Sequence, residues 1–164
     1  MDILDEALLK FWNDLEKYAV EYIMVGGFAV NMHGFTRSTD DLDVWLKNDI
    51  PNRRRFGQAM ASFGYEGISW DEMQFVPGWT DLYIGPGVRL DVMTEMKGLG
   101  DTSFDEAYHM ANKARIEGNI VPFLQINQLI ANKKAVNRPK DQIDIIELEK
   151  IRDLLGGSDK GDIS

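Results

Sequence analysis

Apolar residues near the start of the chain recur every three to four positions, which predicts an amphipathic helix. Apolar or alternating runs then predict strands at 22–25, 42–46, 73–76, 82–84 and 88–92. Further helices are predicted from 28 to about 34 and at 51–63, 104–114, 126–136 and 139–155. Because strands come first and helices dominate the last part, the pattern predicts an α/β (α+β) fold with a helix-covered sheet and a helical C-terminal part.

Composition narrows the class of protein. The 164 residues predict a single domain over 1–155, followed by a glycine-rich, polar, flexible tail at 156–164. With no cysteine and two histidines, the chain cannot form disulfides, and its composition argues against a zinc centre. The net charge of -9 argues against a broad nucleic-acid footprint. The acidic start and the lack of a long apolar run predict a cytoplasmic protein without a membrane span.

Two glycines, Gly26 and Gly27, directly follow the apolar strand predicted at 22–25. Glycine lacks a Cβ atom and tolerates positive φ, so the backbone can come very close to a ligand at this point. The helix predicted from Phe28 would direct its unpaired N–H groups at the same place and favour negative charge. We therefore expect phosphate to bind at this bend.

Asp41 and Asp43 stand two positions apart in the next predicted strand, so both carboxylates project from one face. Asp40 offers a competing register, but it would share a face with the apolar Leu42 and Val44, which belong in the core. Magnesium is typically held by one or two carboxylates together with substrate phosphates. The pair therefore predicts a magnesium site beside the glycines, against the alternative of an Asp-rich loop.

The segments Val25-Gly26-Gly27 and Asp41-Leu42-Asp43-Val44 resemble the motif of the nucleotidyltransferase superfamily. The resemblance implies a mixed sheet and a third carboxylate on a neighbouring strand, which would help hold metal or take a proton from the acceptor hydroxyl. Asp91 is the candidate, on the polar face of the strand at 88–92 after a turn at 85–87, and Asp81 is a weaker rival. A simple ion pair between Asp91 and Arg89 is the alternative interpretation.

The segment 129–148 resembles the C-terminal signature of small nucleotidyltransferases related to abortive-infection toxins. Its matching positions are Lys133, Arg138, Lys140-Asp141 and Asp144-Ile145. Lys133, with Arg138 or Lys140, would neutralise the triphosphate and the charge that develops as pyrophosphate leaves. Arg37 is a further candidate for phosphate contact. The alternative is a solvated helix-loop-helix with ion pairs one turn apart.

Together these motifs predict a magnesium-dependent enzyme that moves a nucleoside monophosphate from an NTP to a hydroxyl. The acceptor stays open between a small molecule such as an antibiotic, a protein side chain and a tRNA end. The toxin resemblance implies a toxin role with a partner antitoxin. The alternative function is a degenerate, non-catalytic module that binds a nucleotide or a protein on the same fold.

Overall fold

A six-stranded mixed sheet organises the protein, whose computed structural model describes residues 5–76 and 82–156. The strands are β1 (Tyr22–Val25), β2 (Asp41–Leu46), β3 (Leu82–Tyr83), β4 (Arg89–Met93), β5 (Asn112–Ile116) and β6 (Asn119–Phe123). The helices are α1 (Glu6–Lys17), α2 (Gly26–Met32), α3 (Ile50–Ala61), α4 (Phe104–Met110), α5 (Ile126–Val136) and α6 (Pro139–Leu154). The spatial strand order is β3-β4-β2-β1-β6-β5, and the predicted α/β fold is confirmed.

The centre of the sheet brings residues from distant parts of the sequence side by side. β1 runs antiparallel to β2 and pairs Val25 with Asp43. β2 runs parallel to β4, and this register pairs Asp43 with Asp91. Since paired residues on adjacent strands face the same side of a sheet, the two carboxylates project together, next to the end of β1.

The apolar stripe of α1 lies in the core, as its spacing predicted. Leu8, Phe11, Trp12 and Leu15 are each at most 1% exposed. Trp12 stacks on Tyr22 of β1 with 5.9 Å between ring centroids. Burial of each such side chain contributes roughly 1.5–3 kcal/mol, so this helix anchors the sheet and takes no part in the candidate site.

Two predicted elements are wrong. The segment 73–76 is a loop, and the Met73 carbonyl accepts a hydrogen bond from the Arg53 side chain (2.8 Å) where a strand partner was expected. The helix predicted over 104–114 ends at Met110, and β5 and β6 then form a hairpin. Its turn uses Glu117 (φ 48°) and Gly118 (φ 83°). The C-terminal part is therefore less helical than expected.

The predicted turn at 85–87 is confirmed, and two other predictions concern residues that the structure does not describe. The turn at 85–87 joins β3 and β4 as an antiparallel pair, as predicted. The rival carboxylate Asp81 and most of the predicted tail, residues 157–164, lie outside the described residues. Within 5–76 and 82–156, every helix is too short or too polar to cross a membrane.

Candidate active site

The bend between β1 and α2 is built on Gly26, which has a φ of +66°. A Cβ atom at this position would lie 3.0 Å from the Cβ of Asp43 and would overlap the Asp43 carboxylate. Only glycine therefore lets the bend pass so close to the acid. Gly27 is also closely packed, since a Cβ there would lie 2.9 Å from the Cβ of Thr39.

The charged residues of β2 and β4 form two pairs across the two strands, Asp43 with Asp91 and Asp41 with Arg89. Asp43 and Asp91 are paired in register, and Asp91 is 8% exposed. In the second pair, Arg89 Nη1 donates to Asp41 Oδ2 at 3.2 Å. Burial, followed by the negative charges of Asp91 and Asp41, raises the pKa of Asp43 to about 7. Convergence of like charges at this point favours binding of a cation.

A buried ion-pair network faces the acids from the C-terminal helices. Asp144, which is 1% exposed, accepts two hydrogen bonds from the Arg37 guanidinium, each 2.8 Å long. Its other partner is Lys133, whose Nζ lies 2.9 Å from Asp144 Oδ2 and 3.2 Å from Asp141 Oδ1. Asp141 also accepts from Arg138 Nε at 2.8 Å. Two aspartates thus hold three of the predicted phosphate-binding cations in fixed positions.

The pKa values of the two anchoring acids follow from these contacts. Burial alone would raise the pKa of Asp144, but hydrogen bonds from Arg37 and Lys133 outweigh it, so that the pKa is lowered. Burial is likewise outweighed at Asp141, where hydrogen bonds from Arg138 and the charge of Lys133 lower the pKa to about 2. Both acids are therefore ionised at neutral pH and keep the cations paired.

One polar cavity of about 400 Å³ brings together all nine residues that the sequence predicted for the site. These are Gly26, Gly27, Arg37, Asp41, Asp43, Asp91, Lys133, Arg138 and Lys140. Sequence reasoning missed the role of Asp144, because its Arg37 partner is 107 positions away in the chain. It also missed the lining residue Ser38, for which the only signal was its place just before the acids.

The donor chemistry of the cavity fits a hard divalent cation through two ligands. Asp43 and Asp91 offer carboxylate oxygens from one face, the mode in which magnesium binds together with substrate phosphates. Among the described residues, no group of three or more His, Cys, Asp or Glu side chains is arranged to hold a metal ion. Asp41 would be the third of the predicted metal ligands if its ion pair with Arg89 were broken.

Asp43 should make folding stability depend on pH in the metal-free protein. Its folded pKa of about 7 lies above its unfolded value, so the folded state binds the extra proton and loses stability as pH rises from about 4 to about 7. The full penalty is on the order of 4 kcal/mol. We expect urea unfolding in EDTA to show Asp43→Asn gaining stability over the unsubstituted protein across this range. A difference that is constant with pH would contradict the assignment.

Asp144→Asn should weaken nucleotide binding, because Arg37 loses its bidentate carboxylate partner and Lys133 loses one of its two ion-pair partners. We expect the Kd for ATP to rise about 10- to 100-fold and unfolding to lose about 2–4 kcal/mol. Calorimetric titration and urea unfolding measure both. The matched control is Glu147→Gln on the same helix, where an exposed partner, Lys150 at 3.3 Å, predicts little change. Unchanged ATP affinity in Asp144→Asn would refute the anchoring role.

The fold, with paired carboxylates on adjacent parallel strands beside a glycine bend, agrees with the class that the sequence motifs suggested, the nucleotidyltransferases. A family model described as aminoglycoside-2''-adenylyltransferase matches residues 7–148, and the chain belongs to this family. The superfamily suggested by the sequence motifs is thereby confirmed. No curated protein matches the chain.

Solved structures share the fold at low sequence identity. The solution structure of the antibiotic-resistance factor ANT(2'')-Ia is 18% identical with a TM-score of 0.57, covering 92% of this chain and 83% of that one. Lincomycin-bound LnuA, a lincosamide antibiotic adenylyltransferase, is 14% identical with a TM-score of 0.57, covering 90% and 97%. An antigenic nucleotidyltransferase-like protein from Paracoccidioides brasiliensis is 20% identical with a TM-score of 0.53, covering 90% and 73%.

Proposed function

We propose that the protein transfers a nucleoside monophosphate from an NTP to a hydroxyl of a small-molecule acceptor, in a magnesium-dependent reaction. The observation that carries this proposal is the register of β2 and β4, which places Asp43 beside Asp91 at the Gly26 bend. The anchored cations on the other side of the same cavity supply the positive charge that a triphosphate needs.

Each group has a distinct role in this mechanism. The backbone at Gly26 and Gly27 receives the triphosphate, and Lys133 with Arg138 and Arg37 balances its charge. Asp43 and Asp91 would hold magnesium, with Asp41 as a further ligand, and the ion would neutralise phosphate charge and orient the α-phosphate. Most of the catalysis then comes from positioning and electrostatics.

The transfer is a single displacement at phosphorus. The acceptor oxygen forms a bond to the α-phosphorus, while the bond from that phosphorus to the bridging oxygen of the β-phosphate breaks and pyrophosphate leaves. The hydroxyl proton passes to a carboxylate, for which Asp91 is proposed. Lys133 and Arg138, which line the cavity, would stabilise the negative charge that grows on the leaving pyrophosphate.

The names of the family and its neighbours favour ATP as donor and an antibiotic-like acceptor. The family is described by an aminoglycoside adenylyltransferase, one neighbour is solved with adenylyl-2''-tobramycin, and LnuA is a lincosamide adenylyltransferase. These names support a small-molecule hydroxyl over a protein side chain or a tRNA end. The toxin role and the antitoxin partner receive no such support and stay predictions.

The test is transfer of label from α-labelled ATP, GTP, CTP and UTP to a panel of small hydroxyl compounds, with magnesium and with EDTA. We expect labelled acceptor and released pyrophosphate with ATP, and loss of both in EDTA. Binding of ATP is measured separately by titration calorimetry. Absence of transfer from all four nucleotides to the panel and to cell extract would reject the proposed activity.

The degenerate, non-catalytic function keeps one observation in its favour. Asp41 is paired with Arg89, and in the described part of the chain no three carboxylates are arranged to hold a metal ion. A module of this kind would bind ATP without releasing pyrophosphate, so the calorimetric and transfer measurements together separate it from the enzyme.

A further inference from the structure

A second cavity, of about 300 Å³, opens beside the acid pair. It overlaps the polar cavity at Gly26, Asp43, Asp91, Lys133 and Arg138. Its remaining wall comes from the end of β4 and the following loop, with Met93, Glu95 and Met96, and from α5. A molecule bound here would present its atoms directly to the two carboxylates, the position required of an acceptor hydroxyl.

The wall of this second cavity is fixed in place by close packing. Asn132 of α5 donates from Nδ2 to the Lys97 carbonyl at 3.0 Å. Gly98, with a φ of +85°, brings the loop so near α5 that a Cβ there would lie 2.8 Å from the Cβ of Ala135. Because the loop is held against the helix in this way, the cavity is preformed and can select among acceptors by its shape and chemistry.

The surface next to the acids is apolar. Met93 follows Asp91 by two positions, so it lies on the same face of β4, and it is paired in register with Trp45 of β2. Met93, Met96 and Val136 line the second cavity and give it an apolar surface next to the acids. Such a surface favours an apolar portion of a ligand and gives an ammonium group no partner.

The charges of the second cavity do not suit a polycation. Its cationic members are Lys97, Lys133 and Arg138, and its acids outside the Asp43 and Asp91 pair are limited to Glu95. In the proposed reaction magnesium would engage the acid pair and the triphosphate would engage Lys133 and Arg138, so that Glu95 is the one carboxylate of the lining left for an amine. A polyamine would then meet Lys97 and an apolar wall, without the several carboxylates that its ammonium groups require.

We infer that this second cavity binds the acceptor and selects a hydroxyl compound with an apolar portion and at most one amine, in preference to a polyamine. The inference rests on the proposed function and narrows its acceptor. Met93 determines this specificity, since it lines the cavity two positions after Asp91 on the same face of β4. A carboxylate at this position would favour a polyamine. The bond changes are those of the proposed transfer, with the acceptor hydroxyl placed at Asp91.

The experiment compares two acceptors with labelled ATP. Lincomycin carries one amine and an alkyl chain, and tobramycin is a polyamine. We expect kcat/KM for lincomycin to exceed that for tobramycin by at least about tenfold, the range in which pocket contacts discriminate. In Met93→Glu the ratio should fall by at least about tenfold, while Met93→Leu, which keeps the apolar surface, should preserve it.

The outcomes separate this inference from the proposed function. Equal or faster transfer to tobramycin, or no transfer to lincomycin by a protein that transfers to other hydroxyl compounds, overturns the inference and leaves the proposed function intact. An unchanged ratio in a folded Met93→Glu variant overturns the role of Met93. If the protein transfers the nucleotide to no compound at all, the proposed function is rejected, and the inference is rejected with it.

Discussion

Asp43→Asn should abolish nucleotidyl transfer while leaving the protein at least as stable at neutral pH. The substitution removes one of the two carboxylates paired across β2 and β4, and loss of metal-based charge stabilisation worth several kcal/mol corresponds to a decrease in kcat of about 10³-fold or more. The expected gain in stability follows from removal of a buried charge whose pKa is raised to about 7. Label transfer from ATP and urea unfolding measure the two effects.

The neighbouring acid Asp40 supplies the matched control for this prediction. It lines the same cavity but precedes β2, so its side chain has no partner in the register with β4. Asp40→Asn should therefore change kcat by less than about threefold. Equal losses in Asp40→Asn and Asp43→Asn would show that general negative charge matters and that the strand register does not. Retained transfer in a folded Asp43→Asn protein would reject the catalytic site.

Gly26→Ala should lower both activity and stability. The new methyl group would meet the Asp43 carboxylate, and alanine must also adopt a φ of +66°. We expect a loss of about 2–3 kcal/mol in unfolding free energy and a decrease of about 10²-fold in kcat/KM for ATP, because the bend and the acid are both displaced. Thermal or urea unfolding and steady-state kinetics give the two values.

Gly87→Ala separates backbone strain from contact with the acid. Gly87 has a φ of +76°, and a Cβ atom there would meet no atom within 4 Å. Its substitution should cost only the conformational penalty of about 1–2 kcal/mol and leave kcat/KM unchanged. If both glycine variants lost activity to the same extent, the close approach of Gly26 to Asp43 would have no specific role.

Local patterns in the sequence were sufficient to predict the elements that carry the acids. β1, the glycine bend and β2 are neighbours in the chain, and alternation placed Leu42 and Val44 in the core and Asp41 and Asp43 on the other face. The pairing of β2 with β4 required the family resemblance, since periodicity within one strand cannot reveal its parallel neighbour.

The parts that were missed depend on contacts or turns that local patterns describe poorly. The hairpin of β5 and β6 turns at Glu117, a residue type that rarely adopts positive φ, so its turn signal was weak. The available signal was the alternation of buried Ala114 and Ile116 with exposed residues. The Asp144 contact with Arg37 joins segments far apart in sequence and became visible only in three dimensions.

The bond between Arg37 and Asp144 also bears on how the protein matures during synthesis. Arg37 is synthesised 107 positions before its carboxylate partner, which lies on α6. A nascent chain whose α6 is still inside the ribosome has the sheet acids but not the anchored guanidinium. Affinity for the nucleotide should therefore appear only after α6 has emerged and docked.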